Sequence, residues 1–379
     1  MPAPEHRPQK KLWLNVVVLL GAVALAVWLW PRATREPGSS SGVSTTTTNA
    51  APAPGETADP FHELAAWLRA APDAATARRQ LAELRARLAS LPVPAAVAEI
   101  RRFLDSRADA PTRLGFKIAS GGALDEAPTL RTFFLDELAR LDPAAAAEYA
   151  QSILTRKDSP DEWAVALRNL ARGDTSAEAR ALLEQKTGEL LRHEPWQRAP
   201  SAGYLEAFDT AVFLGGTSLL PALADLLRRK DNQAVAHASF LTLDRLVLND
   251  ATVTLAALQA APDWMAGREQ TRANYFARGD VRDPRQRQIL ESYFSNPQLS
   301  AAELDAFAGT FPNANFMLSQ NLLTQNRTPD HAALAARDAE SLRVVRAWLA
   351  DPRFAAQRPA LEKIARRLEE FARQSRPTQ

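Results

Sequence analysis

The pattern of apolar and polar positions divides the chain into three textures. From Leu12 to Trp30 it runs LWLNVVVLLGAVALAVWLW, 19 residues with no charge and one amide. At about 1.5 Å per residue this makes about 28 Å of helix, enough to cross a bilayer. Trp13, Trp28 and Trp30 stand at its two ends, Lys10 and Lys11 precede it and Pro31 stops it, as expected of a membrane span. A cleaved signal peptide has a shorter apolar region followed by a small-x-small site. Here the triplets Ala22-Val23-Ala24 and Ala24-Leu25-Ala26 lie inside the run, so the segment is expected to stay as an anchor. Residues 31–60 hold Pro, Ser, Thr, Gly and Ala with almost no large apolar side chain. They cannot bury enough surface to offset their ordering entropy, and predict a disordered stalk with a span of about 30 Å. The expected division is a tail (1–11), a transmembrane helix (12–30), the stalk (31–60), a helical-repeat body (61–262) and a C-terminal helical subdomain (263–379).

Beyond the stalk the apolar residues take the helical period. Ala77, Leu81, Leu84, Leu88 and Leu91 step by four, three, four and three, and similar stripes recur at Trp163, Ala166, Leu167, Leu170 and at Leu361, Ile364, Ala365, Leu368. No alternating β-branched run announces a strand. Ser159 to Glu162, Thr175 to Glu178 and Ser300 to Glu303 fit the capping box, and Asp142-Pro143 and Asp351-Pro352 obey the same logic of a capping side chain before a helix. Prolines punctuate helices expected to be about 10 to 18 residues long. The fold class is all-α, a series of helical hairpins that stack.

The openings PAAVAEI at Pro94, PAAAAEY at Pro143 and PALADLL at Pro221 are alike and lie 49 and 78 residues apart. The segment Leu219 to Leu248, LLPALADLLRRKDNQAVAHASFLTLDRLVL, has a Pro-initiated first helix, a charged turn and a second helix entered at Ala234-Val235. It resembles a HEAT repeat, departing from that pattern at Ala236, where an arginine usually follows the valine. The resemblance implies an α-solenoid over about residues 90 to 260 and a protein-binding scaffold, with no activity of its own. The stretch from Asp263 to Asn326 is richer in aromatics, Asn and Gln. It reads as a cap closing the array, with Tyr293, Phe294, Phe307, Phe311 and Phe316 spaced for burial between helices; a ligand-binding face is the alternative.

Charge and composition narrow the chemistry. With 46 basic and 44 acidic residues the formal charge is +2, and no nucleic-acid motif occurs. Arg7, Lys10 and Lys11 on one side of the span outnumber Arg32 and Arg35 on the other. This favours a single-pass protein of the inner membrane with its body in the periplasm. The heavy use of arginine over lysine fits a G+C-rich bacterial genome. There is no cysteine, which removes thiolate chemistry and disulfides. His6, His62, His193, His237 and His331 show no metal-ligand spacing, and neither Gly121-Gly122 nor Gly215-Gly216 has the frame of a phosphate loop. Both pairs read as turns between helices. Gly38 to Gly42, GSSSG, matches a nucleophile elbow only in letters, since that motif needs a strand-to-helix turn. Adjacent carboxylates such as Asp136-Glu137 and Glu369-Glu370 point different ways on a helix and are expected to be solvated. Arg172-Gly173-Asp174 and Arg278-Gly279-Asp280 match the cell-adhesion tripeptide by chance. From Arg343 to Arg376 nine basic residues face four acidic, an expected solvated face on a closing helix.

The expectation is a membrane-anchored scaffold or adaptor that binds another protein at the cell envelope, with no cofactor, metal or nucleic acid. Its binding face would be the helix after Val235, with Gln233, His237 and Arg245 as candidate contacts. The alternatives are an envelope hydrolase, which needs carboxylates converging near His193 or His237, and the same body facing the cytosol as an adaptor.

Overall fold

In the computed structural model, residues 60–70, 73–326 and 330–374 are described. The expected tail, membrane span and stalk lie outside the described residues, except that Pro60 opens the first helix; no described helix is long and apolar enough to cross a membrane. Helices α1 (Pro60–Arg69), α2 (Ala74–Ser90) and α3 (Val93–Asp105) come first. Of the expected stripe Ala77, Leu81, Leu84 and Leu88 are buried as their spacing requires, whereas Leu91 is the half-buried C-cap beyond the helix, and Asp73 caps α2 by accepting from the Thr76 N–H.

A short antiparallel hairpin comes next, β1 (Lys117–Ile118) and β2 (Leu124–Glu126). It corrects the expectation of no strands: elements this short cannot display a two-residue alternation. Gly121-Gly122 is therefore a hairpin turn, not a link between helices. Gly122 N–H donates to Ala119 O at 3.0 Å, and both glycines take positive φ, +81° and +78°, a region open to glycine without steric cost. Gly215-Gly216 does join two helices, again with positive φ at both residues.

The centre is built by α4 (Leu130–Leu141), α5 (Pro143–Ile153) and α6 (Pro160–Gly173). The expected one-sided stripe on α6 is only part of the picture, because every residue from Glu162 to Ala171 is buried. In α4 every residue from Leu130 to Leu138 is buried. The charged members of these all-round faces are satisfied in ion pairs. Asp136 and Glu137, expected to be solvated, are 1% and 3% exposed. Asp136 accepts from Arg168 Nη1 at 2.6 Å, from Arg140 Nε at 2.9 Å and from the Leu124 N–H at 2.9 Å. Glu137 accepts from Arg85 at 2.6 Å, while burial pushes its pKa up. Arg131 and Glu162 form a second buried pair at 2.9 and 3.1 Å.

Then come α7 (Ala177–Leu191), α8 (Glu194–Arg198), α9 (Ala202–Glu206), α10 (Asp209–Leu214), α11 (Leu220–Leu227), α12 (Gln233–Asn249) and α13 (Ala251–Ala260). Helices α8 to α11 have eight residues or fewer, below the expected length. Backbone chemistry stops two of them early: the Ala199-Pro200 step ends α8, and Gly215 ends α10. The capping residues Ser159, Asp142 and Ser300 accept from the N–H groups of Glu162, Ala145 and Glu303 as expected. The box at Thr175 is displaced by one residue, Ser176 accepting from Ala179 N–H. Pro94, Pro143 and Pro221 all lie at helix starts.

The last third holds α14 (Glu269–Phe276), α15 (Pro284–Phe294), α16 (Ala301–Thr310), α17 (His331–Ala350) and α18 (Arg358–Gln374), and Asp351-Pro352 opens a 3-10 turn rather than an α-helix. Tyr293, Phe294, Phe307 and Phe311 are buried, Tyr293 stacked on Phe276 at 4.1 Å. Phe316 departs from the expectation and is exposed, because it stands on a helix-free segment rather than between helices. Several cations of the basic C-terminal stretch are spent within the fold: Lys363 on Asp305 at 2.5 Å, Arg346 on Glu369 at 2.7 Å, Arg367 on the carbonyls of Gly309 and Phe311.

Gly173 ends α6 where it meets the start of α5. A Cβ there would overlap Pro143 O and lie 2.8 Å from Ala147 Cβ. Gly173→Ala gains about 1 kcal/mol at most in helix propensity and incurs about 1–3 kcal/mol of overpacking against rigid backbone. Urea unfolding is expected to show net destabilisation; a more stable variant would mean that the two helices separate freely.

Candidate functional site

Residues 311–326 cross the body without helix or strand. This strap is fixed at both ends. At its start Asn313 N–H donates to Ala277 O at 2.7 Å, Arg278 donates to Asn315 O at 2.7 Å and Arg337 to Asn313 O at 3.1 Å. Arg278 is held in turn by Asp244, Nη2 to Oδ2 2.7 Å. At its far end Asp209, the first residue of α10, accepts from the N–H groups of Leu323 at 2.7 Å and Thr324 at 3.0 Å and from the Thr324 hydroxyl. Arg245 pairs with Asp209 at 2.9 Å and donates to Asn321 Oδ1 at 3.3 Å and to Thr324 Oγ1. Arg172 reaches from α6 to Leu322 O at 2.5 Å and Gly121 O at 2.7 Å, tying strap and hairpin turn together. Between the two clamps Phe316, Met317 and Leu318 are 45%, 45% and 66% exposed.

The three residues expected to contact a partner fall in different settings. Gln233 and His237 are exposed at the start of α12. His237 stacks on Phe240 at 6.0 Å, and desolvation lowers its pKa. Arg245, two turns on, is turned inward and holds the strap. His193 is the N-cap residue before α8, with its ring 4.2 Å from Trp196; burial, then Lys157, lowers its pKa. No carboxylate pairs with His193 or His237 among the described residues, and no group of His, Asp and Glu there could hold a metal ion. Carboxylates converge instead at Glu206 and Asp209. Asp209 spends its oxygens on two N–H groups, a hydroxyl and Arg245, so it acts as a fastening. Both adhesion-like tripeptides are explained by packing: Arg172 and Arg278 hold opposite ends of the strap, and Gly173 allows a helix contact.

Asp209, Arg172 and the strap went unseen in the sequence as a site, although the Asn- and Gln-rich texture of NANFMLSQNLLTQN was the local signal of non-helical backbone. No protein family, no curated protein and no solved structure matches this chain.

Burial, and then Asp209 close by, push the pKa of Glu206 up to about 7, with Arg245 opposing. The folded chain thus binds this proton more tightly than the unfolded chain, whose glutamate titrates near 4.5. The stability it supplies is full below that value and is lost as pH rises through about 7. Glu206→Gln should match the wild type in urea unfolding at about pH 4 and exceed it by about 2–3 kcal/mol at about pH 8. An equal difference at both pH values would assign the titration elsewhere.

Proposed function

We propose that the chain is a membrane-anchored helical scaffold or adaptor that binds another protein at the cell envelope. The segment 12–30 would hold it in the inner membrane and the stalk would free the body on the periplasmic side. The body is taken as a HEAT-like α-solenoid of hairpins, such as α11 with α12, closed by the C-terminal helices as a cap. The observation that carries the reading is the presentation of Phe316, Met317 and Leu318. Three adjacent large apolar side chains stand in solvent on a segment whose ends are clamped to the body. Contiguous exposed apolar surface marks interaction sites, and a preorganised segment loses little entropy on binding. The partner surface is therefore centred on the strap, with Gln233 and His237 as further contacts on α12 and Arg245 as its support.

A photo-crosslinking residue at position 317 in the full-length protein in cells should give one adduct of discrete mass. Phe316→Ser with Leu318→Ser should abolish it while leaving the melting temperature almost unchanged, since neither side chain belongs to the buried core. A protease should cut the body once the outer membrane is opened. Absence of any adduct at 317 with the body intact overturns the binding reading, and cleavage only after lysis moves the body to the cytosol.

A further inference from the structure

Arg172 is unusual among the arginines of the body's centre. Arg131, Arg140 and Arg168 each hold a carboxylate, whereas no described carboxylate lies within ion-pair distance of Arg172. Its Nη2 is used on the carbonyls of Gly121 and Leu322, which supply no counter-charge; Nη1 and Nε have no partner among the described residues. Arg172 is exposed as a residue, with its Nη2 held against the strap. Burial there, and Arg168 alongside, lower its pKa, with Asp136 and Asp209 opposing from beyond ion-pair distance.

The guanidinium lines a cleft of about 390 Å³ between the hairpin turn and the strap, a size within the range of small-molecule sites. No acidic residue lines it. Ser120 and Gly121 form one wall, and their N–H groups and the Ser120 hydroxyl take no partner among the described residues. Gln320 and Gln325 on the other wall have amides that are equally free. A Cβ on Gly121 would meet nothing within 4 Å, so the mouth is open on that side. We infer that this cleft binds a small oxyanion-bearing polyol, its carboxylate or phosphate on Arg172 and its hydroxyls on the amides of Gln320 and Gln325. A charged donor pairs with an oxyanion about twice as strongly as neutral partners pair with each other, and neutral amides and hydroxyls suit a sugar ring. The cleft shares Leu318 with the apolar surface proposed for a protein partner, but Phe316 and Met317 do not line it, so variants of Arg172, Gln320 and Gln325 test it apart from that surface.

The test is calorimetric titration of the full-length purified protein with glucose 6-phosphate, glucuronate and glucose. Both anionic sugars should bind and glucose should not; the tighter of the two identifies phosphate or carboxylate as the natural group. Arg172→Gln should weaken binding at least about tenfold, and Arg172→Lys, which keeps the charge, should weaken it less. Because Arg172 also ties the strap, Gln320→Ala with Gln325→Ala provides a variant free of structural bonds, expected to weaken binding several-fold at an unchanged melting temperature. The inference is overturned if the anionic sugars bind no better than glucose, or if the double amide variant binds as the wild type does.

Discussion

The guanidinium of Arg168 is the point through which the structure is joined. It is 1% exposed, ion-paired to Asp136 on α4, and bonded to Gly122 O at 2.9 Å and to Asn169 Oδ1 at 2.8 Å. Burying a charge with no partner costs several kcal/mol, and removing one member of a buried pair typically costs about 3–5 kcal/mol. The pair therefore sets α4 and α6 in one register. Asp136 also receives the Leu124 N–H, and Arg168 the Gly122 carbonyl. The same two side chains that join the central helices thus position the hairpin. One turn further along α6, Arg172 uses the placed turn as a foothold for the strap. The fold reaches its exposed surface through this sequence of polar contacts.

The helices were legible where one face is apolar. The α2 stripe and the caps at Asp142, Ser159 and Ser300 depend on residues within four positions of one another, and local pattern captures such terms. The hairpin was hidden because two- and three-residue strands carry no period. The burial of Asp136 and Glu137 was hidden for a different reason. Adjacent carboxylates do point apart on a helix, and here each direction ends on an arginine from elsewhere: Arg168 from α6, Arg85 from α2. Such pairing is a property of tertiary packing, so a charged residue looks the same in sequence whether water or a guanidinium neutralises it. Arg245 shows the converse, a cation that reads as surface and is spent on Asp209.

The strap joins two kinds of chemistry in one short segment. Asparagines at its ends, Asn313, Asn321 and Asn326, bond backbone polar groups that a helix would otherwise pair. That leaves the middle free to hold apolar side chains away from the core. Phe316 could not have been separated by spacing from Phe311, which is buried five residues earlier. What distinguishes them is that Phe311 caps α16 and packs on Phe307 at 4.9 Å, whereas Phe316 lies past the first clamp.

The clamps also link residues far apart along the chain. Arg172 and Leu322 are 150 positions apart, and Asp209 meets Leu323 over 114. Closing so long a loop costs little more than closing a short one, about 0.6 kcal/mol per doubling, so the distance weighs less on stability than on timing. A ribosome delivers Arg172 and Asp209 long before the backbone that they fasten. A nascent or truncated chain that ends before residue 324 can pair Arg245 with Asp209, yet it has no second clamp. The fixed geometry of the apolar triplet therefore forms late, only once Leu323 and Thr324 have been made and can reach an Asp209 that has long been waiting for them.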